Sequence, residues 1–201
     1  MTSAGAGAAV AWEDAAGFDV SSITGATDLA EEPNRTDEMV ISDAGTLKRV
    51  DMQYIYTYPA FRVTMAAATG ISTGTWTKLA FDTIITDEGN VWDESTNYRF
   101  TVPSGCSGMY QFNAKLVQGV IDEGEYIKPA LYIGGSSQAK SIIRFFHSPP
   151  SDNYEMTINW VYVCDLAAAQ YVELWIYHNS DADSDHEPAA WFSGFRITGS
   201  T

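Results

Sequence analysis

The chain has 201 residues, 45% hydrophobic and 13% aromatic, and a formal charge of −15 from 11 Lys and Arg against 26 Asp and Glu. That length suits one large β domain, or one domain with an extension, and the apolar content excludes disorder throughout. The acidic balance excludes nucleic-acid binding through a broad basic surface and disfavours anionic membranes for the same reason.

No Lys or Arg precedes Arg35, so a secretory leader with a basic start is not expected, and no run approaches the roughly 18 apolar residues of a membrane span. Residues 1–36 read as an extended arm. Met1 to Val10 is almost all Ala, Gly and small polar residues, and Trp12 and Phe18 are the sole aromatics before Tyr54. Such a segment cannot build a core alone, so Trp12 and Phe18 are its expected anchoring residues.

Residues 37–52 read as a small β-hairpin. Met39 and Ile41 alternate with polar neighbours, Asp43-Ala-Gly45 supplies the turn, and Leu47 and Val50 resume the apolar side. A lone hairpin is marginal in water, so Met39, Ile41 and Leu47 are expected to dock on something.

Residues 53–201 form the body. Nine strand-like runs follow one another: Tyr54 to Met65, Trp76 to Thr83, Tyr98 to Val102, Met109 to Val117, Tyr126 to Ile133, Lys140 to His147, Glu155 to Cys164, Tyr171 to His178 and Ala190 to Thr198. Turn clusters separate them, among them Asp87 to Asn90, Gly134 to Ser137 and Ser180 to Pro188. Short strands at regular spacing, with no useful 3.6-residue apolar period, predict an all-β sandwich or barrel. In the run from Met109, residues Tyr110, Phe112, Ala114 and Leu116 share one face. The runs ending at Cys164 and His178 carry apolar side chains on both faces: Val161 and Val163 oppose Trp160 and Tyr162, while Trp175 and Tyr177 oppose Leu174 and Ile176. A lone sandwich needs one dry face per sheet, so the surplus predicts subunit packing.

Catalytic patterns are missing. His147, His178 and His186 have no metal-protease spacing, Gly105-Cys-Ser-Gly108 is not a nucleophile elbow, and Gly134-Gly-Ser-Ser137 lacks the Lys of a phosphate loop. No enzymatic activity and no cofactor are expected. Cys106 and Cys164 lie far apart without zinc-ligand company, leaving a disulfide or two buried thiols. Asp181, Asp183 and Asp185 begin like a calcium loop, but His186 stands where glycine is needed and Phe192 where a bidentate Glu belongs, so a solvated acidic loop is the default reading.

The series Phe81, Asp87, Trp92, Asn97, Phe100-Thr-Val-Pro103, Gly108-x-Tyr110-x-Phe112, Ala130-Leu-Tyr-Ile-Gly134, Tyr171-Val-Glu-Leu174 and Phe192-Ser-Gly-Phe-Arg-Ile197 resembles the jelly-roll superfamily of tumour necrosis factor and the complement globular heads. The match spans about residues 72–198. It departs in the spacing between Trp92 and Gly108 and in Ala114, where the family usually has an aromatic. The resemblance implies a jelly-roll sandwich of about ten antiparallel strands that associates as a homotrimer. It places Tyr110, Trp160, Tyr162, Phe192 and Phe195 on the inner sheet, some in the core and others at the subunit contact. Residues 36–51 are similar to short hairpins near the N-termini of tailed-phage virion and fibre proteins. Together these imply a non-enzymatic phage structural protein, located in the virion. It would be a trimeric head or tail appendage held to other virion proteins by its arm and contributing to host adhesion. The rival reading is an adhesin module that binds a host glycan or receptor, with Trp92 and Trp191 as the ligand candidates.

Overall fold

The computed structural model describes residues 33–34, 36–52, 55, 58–121, 123–146, 154–180 and 183–199. Trp12 and Phe18 lie outside the described residues. The chain divides into two compact units, Met1–Tyr56 and Thr57–Thr201.

In the first unit, β1 (Glu38–Asp43) and β2 (Thr46–Asp51) pair antiparallel. Ala44 and Gly45 both have positive φ, 50° and 82°, as a two-residue hairpin turn that matches strand twist requires. The register places Met39 and Ile41 opposite Val50 and Lys48 on one face, and Val40 and Leu47 on the other. Leu47 therefore does not continue the apolar side of Met39 and Ile41: the two-residue turn sets the pairing, and pairing decides the face. Leu47 is 67% exposed, and Met39 and Ile41 are exposed as well.

The second unit contains β3 (Ala60–Thr64), β4 (Thr69–Ile71), β5 (Thr77–Lys78), β6 (Thr83–Glu88), β7 (Trp92–Asp93), β8 (Arg99–Thr101), β9 (Gly108–Ile121), β10 (Tyr126–Ile133), β11 (Ser136–Ser137), β12 (Phe145–Phe146), β13 (Tyr154–Leu166), β14 (Tyr171–His178), β15 (Ser184–His186) and β16 (Trp191–Gly199). Ten of these have three residues or more; the other four are two-residue pairings. One sheet runs β6-β3-β16-β9, with β13 on the far edge of β9 and β15-β4 continuing beside β9. The other runs β11-β10-β14-β8-β7, with β12 on β10 and β5 on β14. Every pairing is antiparallel.

The core is a block of rings between the sheets. Phe61, Phe112 and Phe192 of the first sheet meet Trp92 and Phe100 of the second, with ring centroids 4.8 to 6.4 Å apart. Buried polar tips find partners, as burial demands. Trp160 Nε1 donates to the Ser141 carbonyl at 2.8 Å, Trp92 Nε1 to the Phe81 carbonyl at 3.0 Å, and the Tyr110 hydroxyl to the Cys106 carbonyl at 2.6 Å.

Three expected runs are broken. The run from Trp76 splits into β5 and β6, because Leu79 and Phe81 turn into the core between them. The run from Lys140 becomes a 3-10 turn, Ala139–Ser141, followed by β12. Its cause is Ser141, buried, whose hydroxyl donates to the Gln138 carbonyl and accepts from the Leu131 amide. Of the run from Tyr54, the strand proper is Ala60–Thr64. The loop from Ser180 to Pro188 hides the short strand β15, anchored by the fully buried His186.

Neither ring nitrogen of His186 has a partner, nor does Oε1 of Gln118, its cross-strand neighbour. Burial pushes the His186 pKa down from 6.5 to about 4. The unfolded chain therefore takes up a proton near pH 6.5 that the native chain refuses until about pH 4. Stability contributed by the neutral ring is present above pH 6.5 and lost as pH falls toward 4, about 3 kcal/mol for a shift of this size. Comparison of urea unfolding for the protein and its His186→Leu variant at pH 7 and pH 4 should show that much more acid loss in the protein. Parallel losses in the two would remove His186 as the cause.

Candidate functional site

Two broad faces of the sandwich point away from the core, one on each sheet, and they differ in chemistry. On the first sheet, register sets outward side chains in rows across the strands. One row runs Val163, Gln111, Phe195, Ala60, Glu88; the next runs Val161, Asn113, Ser193, Arg62, Thr86. Val161 is 55% exposed and Phe195 41%, and Ile85, Met109, Val163 and Ile197 are exposed around them. Gln111 Nε2 donates to Asn113 Oδ1 at 3.0 Å, and the Arg62 guanidinium lies over the Trp191 ring at 5.2 Å. This face is a mosaic of apolar side chains and amides with Glu88 at its rim, the composition of a contact surface.

The second sheet presents rings. The outward positions of β10 are Tyr126, Lys128, Ala130 and Tyr132; those of β14 are Tyr171, Glu173, Trp175 and Tyr177. With Trp76 and Phe146 they make a continuous track. Trp175 stacks on Tyr132 at 4.5 Å, Tyr132 meets Trp76 at 6.2 Å, Trp76 meets Tyr177 at 5.6 Å, Tyr177 stacks on Tyr126 at 6.1 Å, and Tyr126 meets Phe146 at 5.5 Å. Lys128 Nζ sits 3.8 Å from the Tyr177 ring centre, and the Arg144 guanidinium lies 4.4 Å from that of Tyr126. Glu173 is engaged, pairing with Lys78 Nζ at 3.1 Å and accepting from Trp175 Nε1 at 3.0 Å. A hydrogen bond with Tyr126, with burial second, holds the Tyr177 phenol above its ordinary pKa; burial does the same for Tyr132.

All five residues that the family resemblance placed on one inner sheet do lie on the first sheet. Tyr110, Trp160 and Phe192 are fully buried between the sheets, Tyr162 packs half-buried against Trp160 at 6.0 Å, and Phe195 points outward. The surplus rings of β14 lie on the other sheet, so the two-sided strands serve two separate faces.

Of the two ligand candidates, Trp92 is corrected, while Trp191 keeps part of its ring open on the outward face of the first sheet. Trp92 is a core residue, turned inward because the Asp87 carboxylate accepts from the Val91 and Trp92 amides at 2.8 and 3.2 Å. Trp191 belongs to β16, not to a loop, and lies half-buried under Arg62. The sequence signal for the ring track was available. Tyr126, Lys128 and Tyr132 alternate with the buried Ile127 and Leu131, in the same way that Trp175 and Tyr177 alternate with Leu174 and Ile176.

The calcium candidates are not brought together among the described residues. Asp181 lies outside the described residues, and Asp183 is spent on the Thr73 amide at 3.0 Å and the Ser72 hydroxyl at 3.5 Å. Asp185 is the middle residue of β15, paired with Gly70 of β4. Among the described residues no three His, Cys, Asp or Glu gather to hold a metal. His178 is tied to Ser180 Oγ at 3.0 Å and the Ile71 carbonyl at 2.9 Å, and Ser107 Oγ accepts from the Ala168 amide at 2.9 Å, so both do structural work. His147 lies outside the described residues. Cys106 and Cys164 are free thiols; burial pushes the Cys164 pKa up to about 11, which leaves that thiol unreactive at neutral pH.

The sheet order and the ring core define a jelly-roll sandwich of the tumour necrosis factor and complement globular-head type. Among solved structures, the chain is similar to the globular domain of zebrafish complement 1qA protein, with a TM-score of 0.51 and 18% identity over 71% of this chain and 99% of that one. It is similar also to the Eiger TNF of S. frugiperda, with a TM-score of 0.50 and 6% identity over 72% and 96%. Murine APRIL scores 0.49 at 11% identity, over 70% and 99%. At these identities the likeness is one of fold. No family model and no curated protein matches the chain.

Proposed function

We propose that the chain is a non-enzymatic structural protein of a tailed-phage virion, a homotrimeric head or tail appendage whose jelly roll projects from an arm bound to other virion proteins. The open face of the first sheet, with Phe195, Val161 and Val163 uncovered in one subunit, carries the reading. Threefold packing on that face is what the superfamily resemblance implies, and Phe195 is the inner-sheet residue left for the contact. An interface of about 1,600 Å², half of it apolar, gains roughly 20 kcal/mol at about 25 cal/mol per Å², more than the roughly 4–15 kcal/mol of lost freedom.

The attachment role rests on the first unit. Its hairpin exposes Met39, Val40, Ile41 and Leu47, apolar side chains on both faces, which suits insertion between other proteins. The resemblance of residues 36–51 to phage hairpins supplies the virion context.

Two measurements test this. Native mass spectrometry of the full chain should give three times its 22.0 kDa. Deletion of residues 1–52, the arm with its hairpin, should leave that assembly intact while abolishing its co-sedimentation with phage particles. A monomer at high concentration would overturn the first half; attachment without the arm would overturn the second.

A further inference from the structure

We propose that the outward face of the second sheet is a binding platform for an acidic polysaccharide, one built from uronic or sialic acid units. This goes beyond the appendage reading and does not need it, because every residue involved lies in one subunit.

The first argument is the ring track. Its rings are held by one another at centroid distances of 4.5 to 6.2 Å, so binding costs little further ordering. Phe146, at the end of the track, is 58% exposed. An extended row of half-exposed rings, ending at the exposed Phe146, suits a ligand that repeats along its length and offers C–H-rich faces, as pyranose rings do. The hydroxyls of Tyr126, Tyr132 and Tyr177 add hydrogen-bonding groups among the rings.

Charge selects the ligand class. In a chain with a formal charge of −15, the track holds Lys128 and Arg144 over its rings. The one carboxylate among the outward positions of β10 and β14 is Glu173, already occupied by Lys78 and Trp175. An ammonium and a guanidinium in this setting favour an anion, and the guanidinium fork matches a carboxylate. Glu123 and Glu125 precede Tyr126 at one end of the track and, with the other acidic residues, oppose any polyanion, but salt screens those more than about 8–10 Å away. A polysaccharide with one charge per sugar, or fewer, tolerates that field; a nucleic acid with one charge per roughly 1.7 Å does not. In a threefold assembly the platform would appear three times, on the side of each sandwich away from the open face of the first sheet, and weak single contacts would add by avidity.

The test titrates the full-length chain, by tryptophan fluorescence, with polygalacturonate, hyaluronan and polysialic acid, against neutral dextran and an oligothymidylate. At least one acidic polysaccharide should bind saturably, less tightly as salt rises, and at least about tenfold tighter than dextran, the scale of one or two desolvated cation contacts. Trp175→Ala should weaken it about tenfold, the scale of a lost stacking platform. Lys128→Ala and the exposed, fold-neutral Arg144→Gln should each weaken it several-fold and flatten the salt dependence, while Val161→Thr on the other sheet should change nothing. Failure of all three acidic probes, dextran binding as tightly, tighter oligothymidylate binding, or affinity unchanged by both cation variants would each overturn the proposal. Native mass spectra of the same samples report the subunit number separately, so loss of the trimer reading is distinguishable from loss of this one.

Discussion

Gly194→Ala is expected to destabilise the body by about 3 kcal/mol or more. Gly194 lies in β16 between Phe61 of β3 and Phe112 of β9, and its missing side chain would point into the core. An added Cβ would meet Phe112 Cδ1 at 2.6 Å, Phe112 Cε1 at 2.7 Å and Phe61 Cε1 at 2.7 Å. Real Cβ atoms do not approach so closely, so a ring must move. Neither can move freely. Phe61 stacks on Trp92 at 4.8 Å and Phe100 at 5.3 Å, and Phe112 stacks on Phe192 at 5.9 Å. Displacing one ring shifts the others, and a close-packed interior transmits that strain. A loss of this size removes a large part of the roughly 5–15 kcal/mol that holds a domain together. Urea unfolding followed by fluorescence checks it, with Ser193→Ala, one residue away on the outward face, as a control near zero. A midpoint in Gly194→Ala matching that control would show that the rings yield and that the aromatic core is not rigid.

The long strands were legible because alternation with one dry side leaves a pattern of period two. Tyr126–Ile133 and Tyr171–His178 have the bounds the sequence implied, and Tyr110, Phe112, Ala114 and Leu116 are all buried. Short elements were not legible, because single side chains decide them from a distance. Ser141 bends the segment after β11 by bonding the Leu131 amide ten residues back. His186 makes a strand out of an acidic loop by burying its ring against a chain 68 positions away. Trp92 looked like a loop ligand because its neighbours are polar, yet the Asp87 carboxylate rotates it inward. The ring track shows the same limit at the level of the site. That β14 has rings on its outward side is a local fact, but strand order decides which sheet they occupy and whether Tyr126 and Tyr132 stand beside them. Strand order is set by pairings between distant segments, which a local pattern does not contain.

Strand order also makes the second prediction sharp, since it puts Phe195 beside Gln111 in a row that ends at Val163. Phe195→Asp is expected to convert the proposed threefold assembly into a folded monomer. The side chain is uncovered in one subunit, so the substitution leaves the core intact, and surface changes of this kind alter subunit stability by about 0.5 kcal/mol or less. In the assembly, symmetry repeats the carboxylate three times in an apolar contact. At roughly 3 kcal/mol for each unpaired charge taken from water, the trimer loses about 9 kcal/mol, about six orders of magnitude in its association constant. No dilution series that resolves the native trimer would then recover it from the variant. Light scattering across a concentration series, with circular dichroism to confirm the fold, makes the measurement. Lys128→Glu, on the opposite sheet, should leave the mass unchanged. If Phe195→Asp keeps a threefold mass, or if Lys128→Glu is the change that dissociates it, the subunits meet through the ring track and the two faces have been assigned the wrong way round.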